Sequence, residues 1–139
     1  MPNTNNRPVP VSQPESDHYW EQAKQGNLVL QKCSDCASFQ FYPRVFCTTC
    51  SGRNLEWIES AGEGFVFTFA IVHQPPHPGF VGAVPYITAI VELDEGVTMP
   101  SQLIGVDPDP DEIEIGMRVQ VAFEELTDSI SLPVFRPAG

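Results

Sequence analysis

Basic residues are scarce in this chain: 7 Lys and Arg stand against 18 Asp and Glu, for a formal net charge of -11. A field of that sign repels phosphates, which argues against nucleic acid as a partner. Long apolar runs are missing as well. The hydrophobic content of 42% is enough for a core, but no stretch approaches the roughly 20 residues of a membrane span. Residues 1–14 have no apolar run of the kind a signal peptide needs. The expectation is a soluble, cytoplasmic protein with no membrane partner. Cysteine is limited to 4 residues, and all of them fall in two close pairs.

Those pairs, Cys33-Ser34-Asp35-Cys36 and Cys47-Thr48-Thr49-Cys50, organise the chain. Two thiols two residues apart let one tight turn aim both sulfurs at a single ion. The ten residues 37–46 allow a short excursion that returns the second turn to face the first. Cys33, Cys36, Cys47 and Cys50 then close a tetrahedral shell around Zn²⁺ with no open position, which makes a structural site. Disulfides would require an oxidising compartment. Iron in a rubredoxin-like site uses the same ligands, so an electron carrier is the competing reading. Four thiolates on Zn²⁺ add about -2, giving a total of about -13.

The charge is uneven. Residues 24–53 hold four cations, Lys24, Lys32, Arg44 and Arg53, against one acid, Asp35; from Val91 onward eleven acids face only Arg118 and Arg136. The cysteine region is thus the one locally basic part of an acidic chain.

In chain order, residues 1–15 read as a flexible or extended tail that orders only against a partner, because 1–14 hold four prolines and three asparagines. Residues 16–27 read as a short helix, capped at Ser16 or Asp17 and stopped at Gly26, with Tyr19 and Trp20 on a face that must dock on this chain or on another. Residues 28–60 alternate strand and knuckle, the layout of a zinc ribbon, with strands expected at 28–32, 38–42 and 55–59. Residues 61–139 change to period-two strands: Phe65, Phe67, Phe69 and Ile71 share one face, as do Ile87, Ala89, Val91 and Leu93, and Met117, Val119, Val121 and Phe123. With 98–106 and 131–135 this makes five short strands, the pattern of a small antiparallel barrel. The connection 73–85 is too long for a hairpin turn and carries His73, His77 and Phe80, so it is a functional candidate. The acidic connection 107–116 reads as a solvated turn or one turn of helix.

The ordered set of these features resembles the DUF35 family. It consists of the aromatic pair in a short helix, the two CxxC knuckles with Pro43-Arg44 before the second, Gly62-Glu63-Gly64, Pro85-Tyr86 leading into Ile90-Val91-Glu92-Leu93, and Leu132-Pro133-Val134-Phe135. The resemblance implies a mainly β chain: a short helix, a rubredoxin-like zinc ribbon, and a five-stranded OB-fold barrel. It implies Cys33, Cys36, Cys47 and Cys50 as zinc ligands. It also implies a companion subunit in a hetero-oligomer with a thiolase-superfamily enzyme (a thiolase, acyltransferase or retro-aldolase), whose complex binds a coenzyme A thioester.

Catalysis by the chain alone is not expected. Thioester chemistry of the thiolase kind needs a free cysteine beside a histidine, and the metal consumes every thiol. Neither His73 nor His77 sits in a nucleophile motif. The expected role is to help form an acyl-CoA channel. Phe80 would meet an acyl or pantetheine chain, or else merely cap the barrel; His73 and His77 would donate hydrogen bonds, and Arg44 and Arg53 would contact CoA phosphates unless the partner does so. Tyr19 and Trp20 are candidate partner contacts. The alternative from another class is a nucleic-acid module, since OB barrels and zinc ribbons both occur in such proteins.

Overall fold

The computed structural model describes residues 7–138. Its elements are helix α1 (Asp17–Lys24) and strands β1 (Val29–Cys33), β2 (Phe39–Gln40), β3 (Leu55–Glu59), β4 (Glu63–Val72), β5 (Tyr86–Leu93), β6 (Thr98–Leu103), β7 (Arg118–Glu125) and β8 (Ser131–Pro137). Strands β2-β1-β3 form a three-stranded ribbon, and β4-β5-β6-β8-β7 close into a barrel. No helix among the described residues is long and apolar enough to cross a membrane.

The helix begins after a 3-10 turn, Pro14–Ser16. Ser16 occupies the N-cap position, but its hydroxyl bonds Gln13 backbone groups in place of the helix amides. At the other end Gly26 takes φ +88°, and the amides of Gly26 and Asn27 bond the carbonyls of Ala23 and Gln22, which closes the orphan carbonyls of the last turn. The helix docks on its own chain, packing across β8, β1 and β7.

Tyr19 is 2% exposed and Trp20 7%, so both expected partner contacts are core residues of their own chain, and what remains of their surface lines a cleft with Pro100, Gln102 and Leu132. Tyr19 meets Trp20, Phe41 and Tyr42 edge-on at 4.9, 5.6 and 5.7 Å. Trp20 Nε1–H donates to Tyr42 Oη at 3.0 Å. Burial, and Tyr42 beside it, push the Tyr19 phenol well above its ordinary pKa.

This aromatic cluster belongs to one continuous core with Leu28, Val29 and Leu30 of the ribbon root and Val66, Val91, Val119 and Phe135 of the barrel. The junction is held by Glu95, which accepts bonds from Ser60 Oγ at 3.0 Å and the Ala61 N–H at 3.1 Å.

The period-two reading of β5 holds: Ile87, Ala89, Val91 and Leu93 are all buried. The reading of β4 needs correction. Val66 pairs with Val91, but the next pair is Thr68 with Ile90, so Phe67 is an extra residue in a β-bulge. One inserted residue moves the following side chains to the opposite face. Val66 is therefore inward before the bulge, Phe69 and Ile71 pack on the core after it, and Phe67 is 52% exposed. The barrel closes through a parallel seam, where β6 meets β8 at Leu103 and Phe135 alone; its other pairings are antiparallel.

The tail expectation is also corrected in part. Residues 1–6 lie outside the described residues. Residues 7–13 form no helix or strand, yet they dock on this chain: Arg7 pairs with Glu124 of β7 at 2.8 Å, and Val9 packs against the core. The acidic connection contains one 3-10 turn, Pro110–Glu112, as expected.

Candidate functional site

The ribbon brings all four cysteines together. Strand β1 ends in Cys33, and β3 pairs Leu55 opposite it. Each knuckle repeats one local geometry. The amides of Ala37 and Ser51, each four residues after the first cysteine of its pair, donate to the Cys33 and Cys47 carbonyls at 2.8 and 2.9 Å. Both residues adopt positive φ, 63° and 66°. The amides of Thr49 and Cys50 point at Cys47 Sγ, at 3.3 and 3.5 Å. Such donors favour the thiolate.

The four Sγ atoms lie within 4.8 Å of one another. Cys33 to Cys50 and Cys36 to Cys47 are each 3.6 Å apart. A disulfide needs about 2.05 Å, whereas Zn–S bonds of about 2.3 Å in a tetrahedron put sulfurs about 3.8 Å apart. The spacing fits a single tetrahedral metal, and Zn²⁺ would hold both knuckles through this set. Cys33 and Cys47 are buried, while Cys36 and Cys50 face outward.

The thiols respond unequally to their surroundings. Cys36 is lowered to about 6, chiefly by the Ser38 hydroxyl 3.4 Å away and the Ser38 backbone. Cys47 is lowered, first by the Cys50 amide. At Cys50 the Gly52 amide pulls the value down, but the thiols of Cys33 and Cys36 outweigh it and push the group up to about 12. Four thiolates this close need a cation to ionise together.

Two residues that sequence reasoning missed support the second knuckle. Gln31 and Gln40 are buried at 5% and 6% exposure, side by side on β1 and β2. Gln31 donates to the Arg44 carbonyl at 2.9 Å and accepts the Arg44 amide at 2.8 Å. Gln40 donates to Gln31 at 2.8 Å and accepts the Thr48 amide at 2.9 Å. These amides replace water for a loop that has no strand partner. The available signal was a polar residue following the apolar run Leu28-Val29-Leu30. Gln40→Ala is expected to strand the Thr48 amide and destabilise the chain by about 1–3 kcal/mol, read as a lower urea midpoint at unchanged slope; an unaltered midpoint would show that water replaces the side chain.

The remaining candidates fall on separate elements. Arg44 and Arg53 are exposed on the ribbon. His73 and His77 are exposed in the 73–85 loop, where His77 Nδ1 accepts the Gly79 N–H at 2.9 Å. That bond leaves Nε2 of neutral His77 as the donor facing solvent. Phe80 is half-buried: it stacks on Tyr86 at 5.1 Å, with the Arg7 guanidinium 5.8 Å from its ring centre. The apolar side chain the loop offers outward is Val81, 65% exposed.

Comparison with known proteins follows this division. Residues 20–56 match the model of the ChsH2 rubredoxin-like zinc ribbon domain, and residues 57–124 that of the ChsH2 C-terminal OB-fold domain. A probable enoyl-CoA hydratase alpha subunit of Thermomonospora curvata is 39% identical over 132 residues, 95% of this chain; the chain spans only 40% of that relative's length. A DUF35 domain-containing scaffold protein of Methanothermobacter thermautotrophicus is 36% identical over 103 residues, 73% of this chain and 75% of that one. Among solved structures, a chain described as Ltp2-ChsH2(DUF35) aldolase superposes with a TM-score of 0.82 at 38% identity, covering 94% of this chain and 100% of that chain. With its four-thiol ribbon set on an OB-fold barrel, the chain belongs to the DUF35 family.

Proposed function

We propose that this chain is a non-catalytic companion subunit that docks on a thiolase-superfamily enzyme acting on an acyl-CoA and helps form the acyl-CoA channel of the complex. The observation that carries this reading is its likeness, at 38% identity, to the whole of a chain from the Ltp2-ChsH2(DUF35) aldolase. The chemistry of the chain supports it. The thiols that could act as nucleophiles are committed to the metal shell, so bond-making belongs to the partner. Relatives named as a scaffold protein and as a hydratase subunit fit the same division of labour.

Within the complex the 73–85 loop supplies the apolar contact. Phe80 braces the loop on Tyr86, so Val81 meets the acyl or pantetheine chain, and His77 donates from Nε2. Arg44 and Arg53 are the exposed ribbon cations available to CoA phosphates, as point contacts beside those of the partner. A nucleic-acid module would need basic residues along the second and third barrel strands, and neither 86–93 nor 98–103 contains Lys or Arg.

Co-expression with a thiolase-superfamily enzyme from the same genome tests this reading. A stable complex is expected, with partner turnover falling roughly tenfold or more when this chain is left out, as positioning effects do. Recovery of the chain alone, with partner turnover unchanged, would overturn it.

A further inference from the structure

The outer face of β4, β5 and β6 stands apart on a chain with 18 acids. Outward residues line up across the three strands in rows, Thr68–Ile90–Pro100 and then Ala70–Thr88–Gln102. Neither row contains a charge. The bulge adds Phe67 beside the first row, 52% exposed, and Ile90 is 38% exposed. A third row, Val72 and Tyr86, is again uncharged and leads into the loop that carries Val81.

The same face runs into a cleft of about 320 Å³. Pro100 and Gln102 form its near wall, and Trp20, Tyr42 and Leu132 lie among the residues across from them. It opens beside the barrel seam, where β6 and β8 share one paired position, Leu103 with Phe135, and a single side-chain bond, Ser101 Oγ–H to the Pro133 carbonyl at 2.9 Å. An apolar face beside an apolar socket is the arrangement that anchors a protein interface.

Charge selects the occupant. Beyond the neutral rows comes Glu92 on β5; of the two acids in the turn after it, Asp94 is paired with Arg118 at 2.8 Å and Glu95 is bound to Ser60 and Ala61. Two copies of this chain placed face to face would bring these acids together and add their net charges of -11, which disfavours self-association. The complement is a protein surface with an apolar centre and a Lys/Arg rim.

We propose that this charge-free face of β4–β5–β6 is the docking surface for the partner enzyme, which seats an apolar side chain in the cleft at the barrel seam and sets a basic residue against Glu92. The assignment rests on the companion-subunit reading and names the surface that reading requires.

The test uses the full chain and the co-expressed thiolase-superfamily enzyme. Phe67→Asp and Ile90→Glu each place a charge on the face. Ile115→Glu does the same at a residue 61% exposed in the connection before β7, and is the control. Circular dichroism and metal content confirm that each variant folds. The first two are expected to weaken the complex by roughly 30-fold or more, the size of a buried interface charge, and Ile115→Glu to leave it unchanged. Affinity of the native complex falls as NaCl is raised.

Native affinity in both face variants, or an equal loss in Ile115→Glu, would overturn the assignment while the companion reading stands. Failure of the native chain to bind any thiolase-superfamily enzyme would remove both. A native dimer in sedimentation that Ile90→Glu dissociates would give the face to a second copy and refute the proposal.

Discussion

Cys47→Ser is expected to release the metal and unfold residues 28–60 while the barrel persists. Cys47 is fully buried, its sulfur faces two backbone amides, and its carbonyl takes the Ser51 amide. Beyond its root at Leu28, Val29 and Leu30 and the network of Gln31 and Gln40, the ribbon has little else to hold it: its strands are 5, 2 and 5 residues long. Structural zinc sites of this kind contribute on the order of 10 kcal/mol or more to folding, as much as the whole stability of a typical domain.

Zinc is expected to fall from one per chain to none, measured by elemental analysis, with loss of amide-exchange protection across the ribbon. Trp57 lies on β3, and Trp20 reaches Tyr42 just beyond β2, so the tryptophan emission should shift red as both lose packing. Chelation of the native protein should reproduce the change and added Zn²⁺ reverse it. One zinc per chain and a native spectrum in Cys47→Ser would show that the shell is not closed by four thiolates.

Gly64→Ala should damage the other half of the molecule. An added Cβ at Gly64 would lie 2.9 Å from Leu93 Cα and would also overlap the Glu92 carbonyl oxygen. Both neighbours are backbone of β5, paired to β4 along this stretch, so neither can swing aside as a side chain would. Overpacking against backbone costs about 3 kcal/mol, which for a chain of this size lowers the melting temperature by about 10 °C. Gly82, with nothing within 4 Å and no positive φ, is the control, and Gly82→Ala should melt near the native temperature. Equal melting of the two variants would mean that β4 and β5 do not approach this closely at Gly64.

Much of this architecture was legible from local pattern. The cysteine spacing specified a four-thiolate shell, because knuckle geometry is a property of a few adjacent residues. Gly26 ended the helix for the same reason. Alternation found β5 and the inward residues of β7, since one buried face imposes a strict period of two. Excess acid marked a surface hostile to phosphate.

The candidate contact residues were less legible. Phe80 was singled out by composition, but whether it faces a ligand or braces its own loop depends on Tyr86 and Arg7. Tyr19 and Trp20 announced a docking helix without saying on what it docks.

By itself, then, the sequence determined the metal ligands, the order of helix, ribbon and barrel, and the sign of the surface, all of which follow from short-range spacing and composition. Tertiary structure alone decided three things. It placed the bulge at Phe67, because the register of β4 depends on its pairing with β5. It buried Gln31 and Gln40, because only the folded ribbon brings the Arg44 and Thr48 backbone to them. And it gathered residues as distant as Phe67, Ile90 and Pro100 into one uncharged face, a juxtaposition that strand pairing creates and no window of sequence contains.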